Sequence, residues 1–321
     1  MNEKTVKVIE ANLLPKGDYV SSGFSTIQPD SCFPNIMLGN KYDSFWLYLR
    51  RDITHNWYVD KRQQGVGFVS RDEAHILYNT ALKFRGKKAL EIGCWMGWSA
   101  CHLALGGVEL DVIDPMLSEQ LFNESVTDSL KWAGVKESVN LMPGFSPEKV
   151  EEIANKFQRK WSLIFIDGNH EAPAPLNDTI ICEQFAEADA LILFHDLASP
   201  DVGQGLDYLK EKGWNTMVYH TMQIMGVAWR GNVEPVIHQP DANIDWRLPP
   251  HLKDYPVSGS IQTVDKDKFG EILRAIRPYT LLSEAKLFSL YSQAKQVYSY
   301  LFWLPKMLVQ AIARNKRIKY D

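Results

Sequence analysis

The chain has 321 residues, 45% hydrophobic and 12% aromatic, which is enough for one large α/β domain with extensions and a sizeable buried core. Its 35 basic and 39 acidic residues give a net charge of −4, which argues against nucleic acid as a main partner. Cys32, Cys94, Cys101 and Cys182 show no C-x-x-C pairing, so neither a disulfide framework nor a zinc site is expected, and a reducing cytoplasm is the simplest location. The first residues are too polar for a secretory segment. No apolar run approaches the roughly 18–20 residues that a membrane span needs.

In chain order, residues 1–67 read as a loop-rich arm broken by Pro15, Gly17, Gly23, Pro29, Pro34 and Gly39, with one helix expected near Tyr42–Arg51. Its many aromatics, among them Trp46, Tyr48 and Trp57, are expected to pack the arm on the main domain rather than to line a substrate lid. Ser70-Arg-Asp-Glu73 is a capping box, and helical spacing follows to about Phe84. Ala89–Ile92 is a short buried strand stopped by Gly93, Ser99–Leu105 a helix, and Leu110–Ile113 a second strand ending on Asp114. Helix over Leu117–Ala133, strand over Val139–Met142, and a helix opened by Pro147 come next. The strands Trp161–Ile166 and Ala190–Phe194 are the most apolar, and they end in Asp167-Gly168-Asn169-His170 and His195-Asp196. Asp178 and Glu183, between them, are expected on a solvated helix face. A helix over Val202–Lys212 and two closing strands, Trp214–Tyr219 and Met225–Trp229, complete an alternating pattern that predicts a doubly wound, mostly parallel sheet. Residues 232–262 read as a wandering connection. The rest is helical, with a basic, aromatic-rich amphipathic tail suited to helix packing or a homodimer, and alternatively to weak peripheral membrane contact.

The first turn carries Glu91-x-Gly93-x-x-x-Gly97-x-Ser99, with no third glycine in register for a dinucleotide pyrophosphate and an acid inside the strand. Such a turn suits a cationic ligand better than a diphosphate. Asp114, about twenty residues past the first glycine, can take a ribose diol. This pattern resembles the class I S-adenosylmethionine-dependent methyltransferases, which implies a Rossmann-like sheet whose last strand runs antiparallel, over residues 68–231, with 1–67 as arm and 232–321 as connection and helical extension. The resemblance further implies that Glu91, Gly93, Gly97, Ser99, Asp114, Phe145 and Asp167 hold S-adenosyl-L-methionine.

Asp167, His170, His195 and Asp196 fall at the carboxyl ends of neighbouring strands, where such sheets bind ligands. Asp167, His195 and Asp196 form an oxygen/nitrogen set for a divalent ion, magnesium or, given the imidazole, manganese or iron. His170 is free to act as a base. D-G-N-H followed by H-D is similar to the metal-dependent macrocin- and mycinamicin-type sugar O-methyltransferases, although His195 stands where an acid is expected. That resemblance implies a cytoplasmic O-methyltransferase acting on a hydroxyl of a sugar or secondary metabolite in natural-product biosynthesis, with Asp167 and Asp196 as ligands and His170 as base. The alternatives are a metal-independent enzyme using His195 or His170 on a phenol or carboxylate, a non-catalytic methyltransferase-like interaction protein, and, weakest, a nicotinamide dehydrogenase.

Overall fold

A computed structural model of the chain describes residues 6–8 and 14–259. The amphipathic tail predicted from the sequence lies outside the described residues. Seven strands form the main sheet: β1 (Lys88–Ile92), β2 (Glu109–Asp114), β3 (Val139–Pro143), β4 (Trp161–Ile166), β5 (Ala186–Phe194), β6 (Asn215–Tyr219) and β7 (Met225–Arg230). Their order is β6-β7-β5-β4-β1-β2-β3, with β7 antiparallel to both of its neighbours and all other pairings parallel. This is an α/β Rossmann-like doubly wound sheet with one reversed strand, and the short β6–β7 link is the hairpin an antiparallel pair permits.

Among the described residues, six helices cover the sheet: α1 (Arg71–Lys83), α2 (Trp98–Leu105), α3 (Gln120–Trp132), α4 (Glu148–Phe157), α5 (Ala174–Gln184) and α6 (Pro200–Glu211). The strands are apolar at nearly every position because both faces are covered. Ala89, Leu163, Phe165, Leu191 and Leu193 pack with α1, α2 and α3 on one face. Leu90, Ile92, Ile164, Ile166, Ile192 and Phe194 pack with α4, α5 and α6 on the other. The capping box at α1 forms as expected: the Ser70 hydroxyl accepts from Glu73 N, and Ser70 N donates to the Glu73 carboxylate at 2.7 Å. The helix expected from Leu117 starts later, at Gln120, after a 3-10 turn at Pro115–Ser118.

The arm corrects one expectation. No α-helix forms over Tyr42–Arg51; only a 3-10 turn, Lys41–Asp43, is present there. The Arg51 guanidinium explains the loop that follows, since it donates to the carbonyls of Ser44, Trp46, Leu47 and Leu49. Those carbonyls are therefore turned toward one cation instead of along a helix axis. Ile36–Leu38, Tyr58–Asp60 and Gln63–Gly67 form a small antiparallel sheet beside it.

Arg71 ties the arm to α1. Its guanidinium, 1% exposed, donates to Asp18 at 2.5 Å and to both Asp30 oxygens at 2.6 and 3.0 Å, and lies over the rings of Tyr58 and Trp98. Truncation leaves the buried Asp18 carboxylate without its cation, so Arg71→Ala is expected to cost about 3 kcal/mol in urea unfolding. A loss below about 1 kcal/mol would show that the arm is held by its apolar contacts instead.

Candidate active site

The strand order reverses between β1 and β4, and the crevice at that switch point is where ligands of such sheets bind. The β1 carboxyl end passes so close to β4 that a Cβ on Gly93 (φ +80°) would lie 2.1 Å from the Asp167 carbonyl oxygen. Gly93 N donates to Ile113 O, and Asp167 N to Ile92 O, both at 2.9 Å. Trp95, a non-glycine residue at φ +42°, continues the turn. Asp114 holds it in place: one carboxylate oxygen accepts from Cys94 N (2.9 Å) and Trp95 N (3.3 Å), the other from Met116 N (2.8 Å). Two oxygens offer about four acceptor sites, so one remains for a hydroxyl from the crevice.

A cavity of about 370 Å³ opens there, walled by Gly93, Trp95, Asp114, Phe145, Asp167, His170, Asp178, His195, Asp196 and Gln223, with Trp46, Leu49 and Trp57 from the arm. Four expected cofactor residues, Gly93, Asp114, Phe145 and Asp167, thus share one wall system. Glu91, Gly97 and Ser99 do not line it. Strand alternation puts Glu91 on the face opposite Leu90 and Ile92, under the turn and toward α2. Burial, with Asp167 and Asp114 nearby, pushes its carboxyl well above the usual range. Gly97 caps α2 at φ +82° against Val126, and Ser99 is buried in the first turn of that helix. These three shape the turn from behind. The arm aromatics read as packing include two, Trp46 and Trp57, that line the cavity. Asp178, expected in solvent, is 3% exposed. Glu183 pairs with Arg230 at 3.0 Å.

The two strand ends bring Asp167, His170, His195 and Asp196 together. Ligand atoms of Asp167, His170 and Asp196 lie within 4.8 Å of one another. His170 Nε2 sits 3.4 Å from Asp167 Oδ1 and 3.3 Å from Asp196 Oδ2, buried and with no aligned hydrogen bond. The chemistry of these donors fits a divalent cation, and His170 joins Asp167 and Asp196 as a candidate ligand beside the expected His195. The supporting contacts agree. The Tyr48 hydroxyl bonds His170 Nδ1, and Gln223 Nε2 donates to Asp196 Oδ1 at 2.7 Å, which leaves Oδ2 facing the cluster.

His195 turns its Nδ1 toward Asp196 Oδ2 (3.0 Å) and Asp167 Oδ1 (3.2 Å), and its Nε2 toward Glu73 Oε2 (3.2 Å). The Glu73 contact is one of charge, since the Nε2–H does not point along it. Glu73 is fully buried and also accepts from Gln223 N at 2.8 Å. The sequence marks Glu73 only as a capping residue, and nothing in the spacing announces its contact with His195. Burial opposes ionisation of Glu73 and Asp196, yet His195 beside both, with His170 beside Asp196, brings each down to about 2. Burial likewise opposes charge on the imidazoles, but Asp196 and Asp167 raise His170, and Asp196, Asp167 and Glu73 raise His195 well above the usual histidine range. Burial and the same aspartates keep the Tyr48 phenol protonated. Asp196 adopts φ +56° and Ile224 φ +61°, and Leu197 N donates to Ile224 O, so two strained residues are pinned together at the centre.

Among solved structures, the chain is similar to an O-methyltransferase from Bacillus cereus in complex with SAH (13% identity, TM-score 0.44, covering 51% of this chain and 83% of that one). It is also similar to the O-methyltransferase TomG from Streptomyces achromogenes, involved in tomaymycin synthesis, in complex with SAM (21%, TM-score 0.43, 51% and 82%). A third is the precorrin-6y C5,15-methyltransferase from Geobacter metallireducens (12%, TM-score 0.42, 51% and 90%). No curated protein matches, and no helix among the described residues is long and apolar enough to cross a membrane. Residues 90–197 match the family model described as a methyltransferase domain. That matched stretch carries Gly93, Asp114, Asp167, His170, His195 and Asp196.

Proposed function

We propose that the protein is an S-adenosylmethionine-dependent O-methyltransferase, assisted by a divalent metal, that methylates a hydroxyl of a sugar or secondary metabolite. The observation that carries this reading is that Asp167, His170 and Asp196 converge on the wall of the same cavity as Gly93 and Asp114. The methyltransferase-domain match over 90–197 supports the donor.

In this reading Asp114 takes a ribose hydroxyl with its remaining acceptor site, and the ring of Phe145, 71% exposed at the cavity mouth, supplies a face for the base. Asp167, His170 and Asp196 hold the cation. A divalent cation lowers the pKa of an acceptor hydroxyl and fixes its position. Methyl transfer is an in-line displacement in which the sulfonium carbon–sulfur bond breaks as the oxygen–carbon bond forms, so alignment matters most. With Asp167 and Asp196 engaged by the cation, a neutral His195 would take the hydroxyl proton at Nδ1, and the Glu73 carboxylate on its other side would stabilise the imidazolium that forms. Trp46, Tyr48 and Trp57 suit the apolar face of a sugar or polycyclic acceptor and exclude water.

S-adenosylhomocysteine is expected to bind the wild-type protein at one site in calorimetry, and Asp114→Ala to lose at least about 100-fold in affinity, since one change removes the ribose acceptor and the clamp on the turn. Wild-type affinity in the variant would remove Asp114 from the site. The Glu73–His195 pair also supports a second reading, a metal-independent O-methyl transfer with His195 as base. Turnover that is insensitive to chelator would favour it.

A further inference from the structure

Residues 46–50 of the arm reach the donor cluster at two points. Phe45 and Leu47 are exposed on this segment, while Trp46 and Leu49 lie on the cavity wall. The Tyr48 hydroxyl bonds His170 Nδ1, and the Tyr48 ring lies 6.0 Å from the His170 ring and 5.9 Å from the Trp46 ring. Trp46 closes on the same imidazole at 5.0 Å. Two residues further on, Arg50 N donates to Gln223 Oε1 at 3.2 Å. The other end of that amide, Nε2, donates to Asp196 Oδ1 at 2.7 Å. One short segment thus steadies two of the three converging donors, His170 directly and Asp196 through Gln223.

An imidazole that gives its Nε2 lone pair to a cation carries its proton on Nδ1 and needs an acceptor there. The Tyr48 oxygen is placed to be that acceptor. Resting on the cation reading above, we propose that this arm segment braces the cation site, with Tyr48 the positioning residue of His170, so that cation binding and seating of the arm are coupled. By linkage, a cation that binds the braced donors better than the unbraced ones holds the brace shut by the same factor. Because Trp46 and Leu49 belong to the cavity wall, an occupied cation site also fixes the surface offered to the acceptor.

The probe is manganese, titrated into the full chain saturated with S-adenosylhomocysteine. Tyr48→Phe keeps the ring and drops only the hydroxyl. Its manganese affinity is expected to fall by about 10- to 100-fold while its S-adenosylhomocysteine affinity stays within about threefold of wild type. In the wild type, saturating manganese is expected to slow hydrogen exchange of the Leu49 and Arg50 amides by a similar factor, with no slowing in α4. In Tyr48→Phe the slowing is expected to shrink to less than about threefold. The wild-type exchange measurement needs no variant, so it decides even if Tyr48→Phe misfolds. Wild-type manganese affinity in the variant, or an equal loss of both ligands, overturns the role of Tyr48. Manganese binding to the wild type that leaves Leu49 and Arg50 unchanged, or slows α4 equally, overturns the coupling. No manganese binding by the wild type overturns the cation reading itself, and this inference with it.

Discussion

Gly93→Ala is expected to lose S-adenosylhomocysteine binding altogether and to lower stability by about 2–5 kcal/mol. Two costs add. The left-handed conformation at φ +80° costs an L-residue about 1–2 kcal/mol. The new methyl would also lie 2.1 Å from Asp167 O and 2.6 Å from Asp167 C, both backbone atoms that cannot swing aside. Overpacking of that kind costs typically 1–3 kcal/mol even where side chains can yield. The turn cannot retreat either, because Gly93 N is bonded to Ile113 O and Asp167 N to Ile92 O. The only relief is to part β1 from β4 at the switch point, which moves Asp167 away from the turn that Asp114 clamps. Urea unfolding and calorimetry read the two effects. A variant within 1 kcal/mol of wild type that still binds the nucleoside would mean the crevice is wider than the 2.1 Å approach implies.

Asp196→Asn is expected to reduce manganese affinity by at least about 100-fold while leaving S-adenosylhomocysteine affinity within about threefold. Replacing groups that merely orient a ligand typically costs 10- to 100-fold, and Asp196 is itself one of the three converging donors. Asparagine tolerates the left-handed backbone at φ +56° and keeps an oxygen for Gln223 Nε2, so the change removes charge and little else. Manganese binding, followed by electron paramagnetic resonance on protein saturated with S-adenosylhomocysteine, separates the two ends of the cavity. Unchanged manganese affinity would show that Asp167, His170 and Asp196 are an ion-paired cluster, and would turn the reading toward His195 and Glu73 alone.

The sheet was legible because its signals are local. Glycines stop the strands, Asp114, Asp167 and Asp196 stand at strand ends, and the Ser70–Glu73 box announces its helix. The candidate site was legible as far as the strand ends reach. The contacts of its histidines were not, because they come from residues distant in sequence: Tyr48, 122 positions before His170, and Glu73, on a helix ahead of the first strand of the sheet. The arm escaped because its order comes from Arg51 gathering four carbonyls, a device with no period to detect. Asp178 was misplaced for a different reason. A lone acid on a short helix reads as solvent-facing, and only the packing of α5 against the crevice turns that side inward. The position of Glu91 could have been foreseen, since alternation from Leu90 and Ile92 already sends it to the α2 side.

We propose that the crevice between β1 and β4 is built for a sulfonium methyl donor. Equilibrium dialysis of the full chain against methyl-labelled S-adenosylmethionine tests it most directly. One equivalent retained per chain, displaced by S-adenosylhomocysteine and absent in Gly93→Ala, is the predicted result. No retention by folded wild-type protein, with or without manganese, would contradict it.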